Sequence, residues 1–157
     1  LLECFAENRS QLPNVHLVFV GSGPKTDDLK RYADELKVTR QVSFIEWTDG
    51  LSDVYSALDV LAIPSRFEGV PLVMLEAMSV EIPIVASARD GMKEFLPGQW
   101  LFEPGDKAAC AQCLSRVLID DQSDLTAMNR SRALQDFTMA KFGSSFVNSV
   151  RRLGNLG

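Results

Sequence analysis

Residues 60–80 read VLAIPSRFEGVPLVMLEAMSV, and the fold turns on this stretch. Val60, Leu61, Ala62 and Ile63 form a short apolar run without alternation, the pattern of a strand covered on both faces. Pro64 and Ser65 end the run, and a polar loop carrying Gly69 follows. Pro71 stands where a helix can begin, because the first turn has no use for its missing N–H. Residues 71–80 then read as a helix, with Met74 and Met78, four apart, on one packed face.

Working outward, the same alternation recurs. Residues 15–20, 42–45 and 82–86 are further apolar runs, and residues 100–102 are a weaker fifth. Between them lie helical patterns at 26–37 and 51–58. The first of these opens with Thr26 as a cap and with Asp27 and Asp28 in its first turn, where the helix dipole favours negative charge. Asp106 is a good N-cap for a helix reaching about residue 119, and residues 123–153 read as two more helices. Residues 1–11 read as the body of an amphipathic helix already under way, so the chain reads as a piece of a longer one. Strands alternating with helices define an α/β fold, a Rossmann-like, doubly wound parallel sheet covered on both sides. With no repeat, low-complexity segment or linker, residues 1–157 read as a single domain.

Composition narrows the function classes. The chain has 157 residues, 46% hydrophobic and 24% charged, enough to build a core without disulfide staples. A net charge of −5 argues against a general nucleic-acid binder, which needs a basic field toward phosphates. No apolar run approaches the ~20 residues of a membrane span. Three cysteines, an odd number, point to a reducing, cytosolic setting. Charge is uneven: from residue 129 onward Arg130, Arg132, Lys141, Arg151 and Arg152 face only Asp136, a balance of +4 against −9 for the rest. This tail reads as a solvated helix face, or as a surface that docks on another domain or peripherally on an anionic membrane.

In an open parallel sheet, ligands bind beyond the carboxyl ends of the strands. After residue 20 comes Gly21-Ser22-Gly23-Pro24, where two glycines let a backbone turn sharply or approach a ligand. Thr26 stands where the dinucleotide fingerprint needs its third glycine, which excludes a nicotinamide-cofactor site and leaves a tight turn as the plainer reading. The loop at 64–71 is richer. The first N–H groups of the helix behind it lack internal partners and carry partial positive charge, making Val70, Leu72 and Val73 candidate donors to an anion. Gly69 removes a side chain that would block a phosphate. Glu76 lies among apolar neighbours, where a carboxylate needs hydrogen-bond donors such as sugar hydroxyls. Glu68 sits in the loop, so the two carboxylates flank an extended ligand rather than form a close acid/base dyad.

The spacing of Glu68 and Glu76 within Pro-Ser-x-x-Glu-Gly-x-x-x-x-x-Leu-Glu-Ala-Met resembles the signature of the retaining glycosyltransferases of family 4, which include glycogen synthases, sucrose synthases and mannosyltransferases. Leu17 to Pro24 is similar to that family's strand and Gly-x-Gly-Pro turn, and Tyr55-Ser56-Ala57-Leu58-Asp59-Val60 to its Tyr-x-x-Ala-Asp-Val run. Residues 82–87 and 102–106 match its Val-Pro-Val-Val-Ala-Ser and Pro-Gly-Asp segments. The resemblance implies the C-terminal, nucleotide-sugar-binding half of a two-domain GT-B fold. It implies that Glu76 holds ribose hydroxyls and that Glu68, the catalytic-site carboxylate but not a nucleophile, holds the donor sugar. Backbone N–H groups from Gly69 to Val73 would hold the diphosphate, Gly21, Gly23 and Ser65 complete the donor-binding set, and Trp47 would flank the base, with packing in the core as its equal alternative. No metal and no cofactor beyond the nucleotide-sugar substrate is implied.

The chain departs from that pattern in places. Arg89-Asp90-Gly91 stands where the family has Gly-Gly, Val80-Glu81 where it has Cys-Gly, and Glu46-Trp47 where many members have Gly. The family's opening strand, its basic loop pair and its N-terminal acceptor-binding domain have no counterpart in these residues. Because the opening strand is central in a doubly wound sheet, a gap is expected between the strands at 15–20 and 60–63. Such a gap invites self-association. Cys110-x-x-Cys113 falls inside a helix and reads as buried packing rather than a redox or zinc motif, and His16 reads as structural. The alternative function is a non-catalytic Rossmann-like nucleotide-binding or scaffold module, from which Glu68 and Glu76 discriminate.

Overall fold

Among the described residues, five short apolar segments pair as parallel strands and seven α-helices connect or cover them. The computed structural model describes residues 1–46, 50–138 and 140–141, with the backbone alone at Leu51 and Asp90. In chain order the elements are α1 (Leu2–Glu7), β1 (Leu17–Val20), α2 (Thr26–Glu35), β2 (Val42–Ile45), α3 (Leu51–Ser56) and β3 (Leu61–Ile63), then α4 (Leu72–Ser79), β4 (Ile84–Ser87), α5 (Asp90–Phe95), β5 (Leu101–Phe102), α6 (Lys107–Ile119) and α7 (Ser123–Asp136). Trp47, Arg151, Arg152 and nearly all of the second C-terminal helix expected from the sequence lie outside the described residues.

The strands form two ladders. β1 pairs with β2 from Leu17↔Val42 to Val20↔Ile45. β3 pairs with β4 from Leu61↔Ile84 to Ile63↔Ala86, and β4 with β5 at Ala86↔Leu101 and Ser87↔Phe102. Among the described residues no ladder joins β1 to β3. Instead a cleft of about 540 Å³ runs between them, lined by residues of both strands including Val18, Val20, Leu61 and Ile63. This is the interval expected between residues 15–20 and 60–63. It also corrects one expectation: β1 is not buried on both faces, since Val18 and Val20 are 39% and 37% exposed. Their apolar character fits a strand with a neighbour on each edge, and here one edge is open.

β4 shows what a covered strand looks like. Ile84, Val85, Ala86 and Ser87 are all buried, so both of its faces are packed. Helices α4 and α6 lie against it. Met74 and Met78 of α4 are buried as the sequence implies, and Cys110 and Cys113 of α6 are buried thiols. α1 packs on α6, and the neighbouring Cys4 thiol together with burial pushes the Cys110 thiol well up. Trp100 is fully buried and its Nε1 donates to Gln122 Oε1 at 2.8 Å, which satisfies its polar atom in the core.

Several local expectations shift for identifiable reasons. The first helix ends at Glu7 because Asn8 folds its side-chain amide back onto the Cys4 carbonyl at 2.9 Å, and residues 9–11 continue as a 3₁₀ turn. α5 is a helix that its six residues did not signal. Arg130 and Arg132 do not present a free basic surface. Arg130 donates to the Ser79 carbonyl at the end of α4, at 3.2 Å, and reaches Glu81 at 3.4 Å. Arg132 caps the Glu94 and Phe95 carbonyls and lies over the Phe95 ring at 4.7 Å. Both tie α7 to helix C-termini, where a cation meets partial negative charge.

Asp106 behaves as its sequence position implies, accepting from the Ala109 N–H at 2.8 Å to cap α6. Asp106→Ala is expected to remove about 1 kcal/mol. Thermal denaturation followed by circular dichroism then gives a Tm lower by roughly 2–4 °C. An unchanged Tm would show that this cap contributes nothing.

Candidate functional site

The site grows from the carboxyl ends of β3 and β4. Ser87, the last residue of β4, is fully buried, and its hydroxyl donates to the Ser65 carbonyl and lies 3.4 Å from that of Ile63. The loop leaving β3 is therefore held at its root. From that root the Ser65 hydroxyl donates to Glu68 Oε1 at 3.0 Å, which fixes the half-buried Glu68 carboxylate. Ser65, Glu68 and Val73 line the upper part of the cleft between β1 and β3.

α4 begins one residue later than its sequence suggests. Pro71 is its N-cap, with extended backbone at φ −69° and ψ 136°, and its carbonyl accepts from Met74 N–H at 3.0 Å. The N–H groups of Leu72 and Val73 open the helix without a partner among the described residues, and both side chains are exposed. At Gly69 an added Cβ would meet nothing within 4 Å, so the approach to this end of α4 is open.

Gly91, at the start of α5, is the glycine that packing demands. A Cβ there would lie 2.4 Å from the Gly69 carbonyl oxygen and 2.8 Å from Val70 Cγ2. α5 is thus packed against the 69–70 loop and backs it. Its only sequence signal was a glycine just beyond a buried strand.

Glu76 faces a second cleft, of about 610 Å³, with Ser52, Tyr55, Ser56, Ser79 and Val80 among its lining. The Tyr55 hydroxyl donates to Glu76 Oε2 at 2.6 Å. Burial, this hydrogen bond and the Glu76 charge push the phenol well above its ordinary range, so it remains a donor. Tyr55 and Leu58 line both clefts, which places Glu68 and Glu76 on either side of them. The two carboxylates are not a dyad, as their spacing implied, and each accepts one hydroxyl from the protein itself.

The remaining predicted residues fall elsewhere. Gly21 ends β1 at φ 120°, a conformation that favours glycine, and its N–H donates to the Ile45 carbonyl at 2.9 Å. Gly23 and Thr26 close a turn on each other: Gly23 N–H donates to Thr26 Oγ1 and Thr26 N–H to the Gly23 carbonyl, both at 3.0 Å. Thr26 is therefore the first helical residue and closes the turn rather than capping α2, whose N-cap is Lys25. Neither glycine lines the cleft that Glu68 faces. His16 is exposed, its Nε2 2.9 Å from Ser43 Oγ. Among the described residues no three His, Cys, Asp or Glu side chains gather in a group that could hold a metal ion, and no helix is long and apolar enough to cross a membrane.

A parallel α/β sheet with helices packed on it is a class of fold whose ligand sites lie beyond the carboxyl ends of the strands. Within that class, the family model described as "Glycosyl transferases group 1" matches residues 1–120, and the chain belongs to that family. The sulfoquinovosyl transferase of Arabidopsis thaliana is 31% identical over 78% of this chain and 25% of its own length. A UDP-Gal:α-D-GlcNAc-diphosphoundecaprenol α-1,3-galactosyltransferase of Escherichia coli is 27% identical over 83% of this chain and 35% of its own. The chain thus spans between about a fifth and about a third of the curated relatives it matches. Among solved structures, a sucrose-phosphate synthase of Thermosynechococcus elongatus superposes with a TM-score of 0.82 at 26% identity, covering 99% of this chain and 43% of that one. HepE of Anabaena, solved in complex with UDP, gives 0.80 at 21% identity over 97% of this chain and 44% of its own. These superpositions establish the Rossmann-like half of a GT-B fold.

Gly91→Ala is expected to push on the 69–70 backbone and destabilise the protein by about 1–3 kcal/mol in urea denaturation, the usual size of overpacking. Gly69→Ala, with open space around it, is expected to stay within roughly 0.5 kcal/mol of wild type. Equal effects at the two positions would contradict this packing.

Proposed function

We propose that these residues form the donor-binding part of a retaining glycosyltransferase, which takes a sugar from a nucleoside-diphosphate sugar and passes it to a saccharide or lipid-linked acceptor. The observation that carries the reading is the pair of half-buried carboxylates, Glu68 in the loop before α4 and Glu76 within that helix, together with the open N–H groups of Leu72 and Val73 at its start. Glu76 accepts from the ribose hydroxyls and Glu68 from hydroxyls of the donor sugar. The diphosphate lies between them, against Gly69 and the N–H groups of Val70, Leu72 and Val73. The complex of HepE with UDP and the galactosyl donor named for the Escherichia coli relative support a nucleoside-diphosphate sugar as ligand.

Chemically, this arrangement acts on the leaving group. As the bond from the sugar to the diphosphate breaks, negative charge grows on phosphate oxygens. The preorganised N–H groups and dipole of α4 stabilise that charge more strongly than the ground state. Glu68, held by Ser65, orients the sugar by accepting from its hydroxyls, and it supplies no nucleophile. The acceptor comes from a second domain of the longer protein, and closure of the two around donor and acceptor excludes water.

Calorimetric titration with UDP, GDP, ADP and their sugars tests the reading on the full-length protein. At least one nucleoside diphosphate should bind. Glu76→Gln should weaken it by roughly tenfold or more, the loss of hydrogen bonds to a charged group. Glu68→Gln should leave the diphosphate unaffected and weaken only the nucleotide sugar. If neither substitution changes either affinity, the assignment fails and a scaffold role replaces it.

A further inference from the structure

Resting on that assignment of Glu76 to the ribose, we propose that Tyr55 is the residue that positions it, and that Tyr55 thereby sets the preference for a ribose over a deoxyribose nucleotide. Tyr55 is on α3 and Glu76 on α4, 21 residues apart, and their 2.6 Å hydrogen bond is the polar link between these helices. The Tyr55 ring packs against the core and forms part of the wall of both clefts, so its hydroxyl sits on a fixed base.

A glutamate side chain carries three rotatable bonds, and ordering it on ligand binding costs conformational entropy. A carboxylate aimed in advance avoids most of that cost. Tyr55 aims it by occupying one acceptor position of Oε2. This leaves Oε1 and the second lone pair of Oε2 for the ligand. Two acceptor positions on adjacent oxygens suit two adjacent hydroxyl donors, and a vicinal diol such as the 2′,3′-diol of ribose presents that pair. A deoxyribose offers only one. Tyr55 makes this contribution through Glu76, without touching the diphosphate. It is insensitive to pH over the working range, because the phenol stays protonated.

The test uses the full-length protein and whichever of UDP, GDP and ADP binds, with its 2′-deoxy counterpart, in wild type, Tyr55→Phe, Glu76→Ala and the double variant. Tyr55→Phe keeps the ring and removes only the donor. It is expected to weaken the ribonucleotide roughly fivefold to tenfold, while the 2′-deoxy form changes by less than twofold. Adding Tyr55→Phe to Glu76→Ala should bring no further loss, since the two act in series. An equal loss for both nucleotides, or full additivity in the double variant, would mean that Tyr55 serves packing alone and would overturn the proposal. So would an unchanged ribonucleotide affinity in Tyr55→Phe. If Glu76→Ala leaves the preference for ribose intact, or if no nucleoside diphosphate binds, the assignment of Glu76 itself falls. That is a different failure, visible without Tyr55→Phe.

Discussion

The buried strand β4 is the constraint on which the rest depends. Its four residues are packed on both faces, and it is paired with β3 on one edge and β5 on the other. From its end the Ser87 hydroxyl reaches the Ser65 carbonyl, so the loop that carries Glu68 is anchored to the best-packed strand in the molecule. Just beyond it, Gly91 lets α5 come against the Gly69 carbonyl. α4, packed against β4 and tied at its far end by Arg130, presents its free N–H groups at a position fixed from both sides. A mobile loop would have to be ordered on binding. This one is already held, and preorganisation of dipoles is what stabilises developing charge.

The opposite situation holds across the interval between β1 and β3. There, among the described residues, no ladder joins the facing edges, and the apolar residues Val18 and Val20 are partly exposed. A strand lying in this interval would pair with both edges and carry the sheet across in one piece, the arrangement that a doubly wound sheet calls for. The cleft wall includes Glu68 and Val73, so whatever occupies the interval also borders the site.

Much of this was legible in the chain. Five apolar runs marked the five strands, Asp106 marked a cap, and Met74 and Met78 marked a buried helix face. Glu76 stood out because a carboxylate among apolar residues requires donors, and Glu68 because it sits in the loop beyond a strand's carboxyl end. What was not legible is partnership across long separations. Nothing in the spacing showed that the donor for Glu76 is Tyr55, that Ser87 secures Ser65, or that Gly91 rather than Gly69 is the glycine that packing requires. Each is a contact between segments brought together by the sheet. The basic residues Arg130 and Arg132 of α7 do lie at the surface, as charge counted along the chain implies, but their engagement with the carbonyl ends of α4 and α5 was not legible either.

The central claim is that the opening turn of α4 is the seat of a nucleoside diphosphate. Backbone amide chemical shifts, followed by heteronuclear NMR as a nucleoside diphosphate is added, test it most directly. The account predicts that the largest changes fall on Gly69, Val70, Leu72 and Val73, with smaller ones at Tyr55 and Glu76. Binding that leaves those four amides unmoved, with the changes gathered elsewhere, would contradict it.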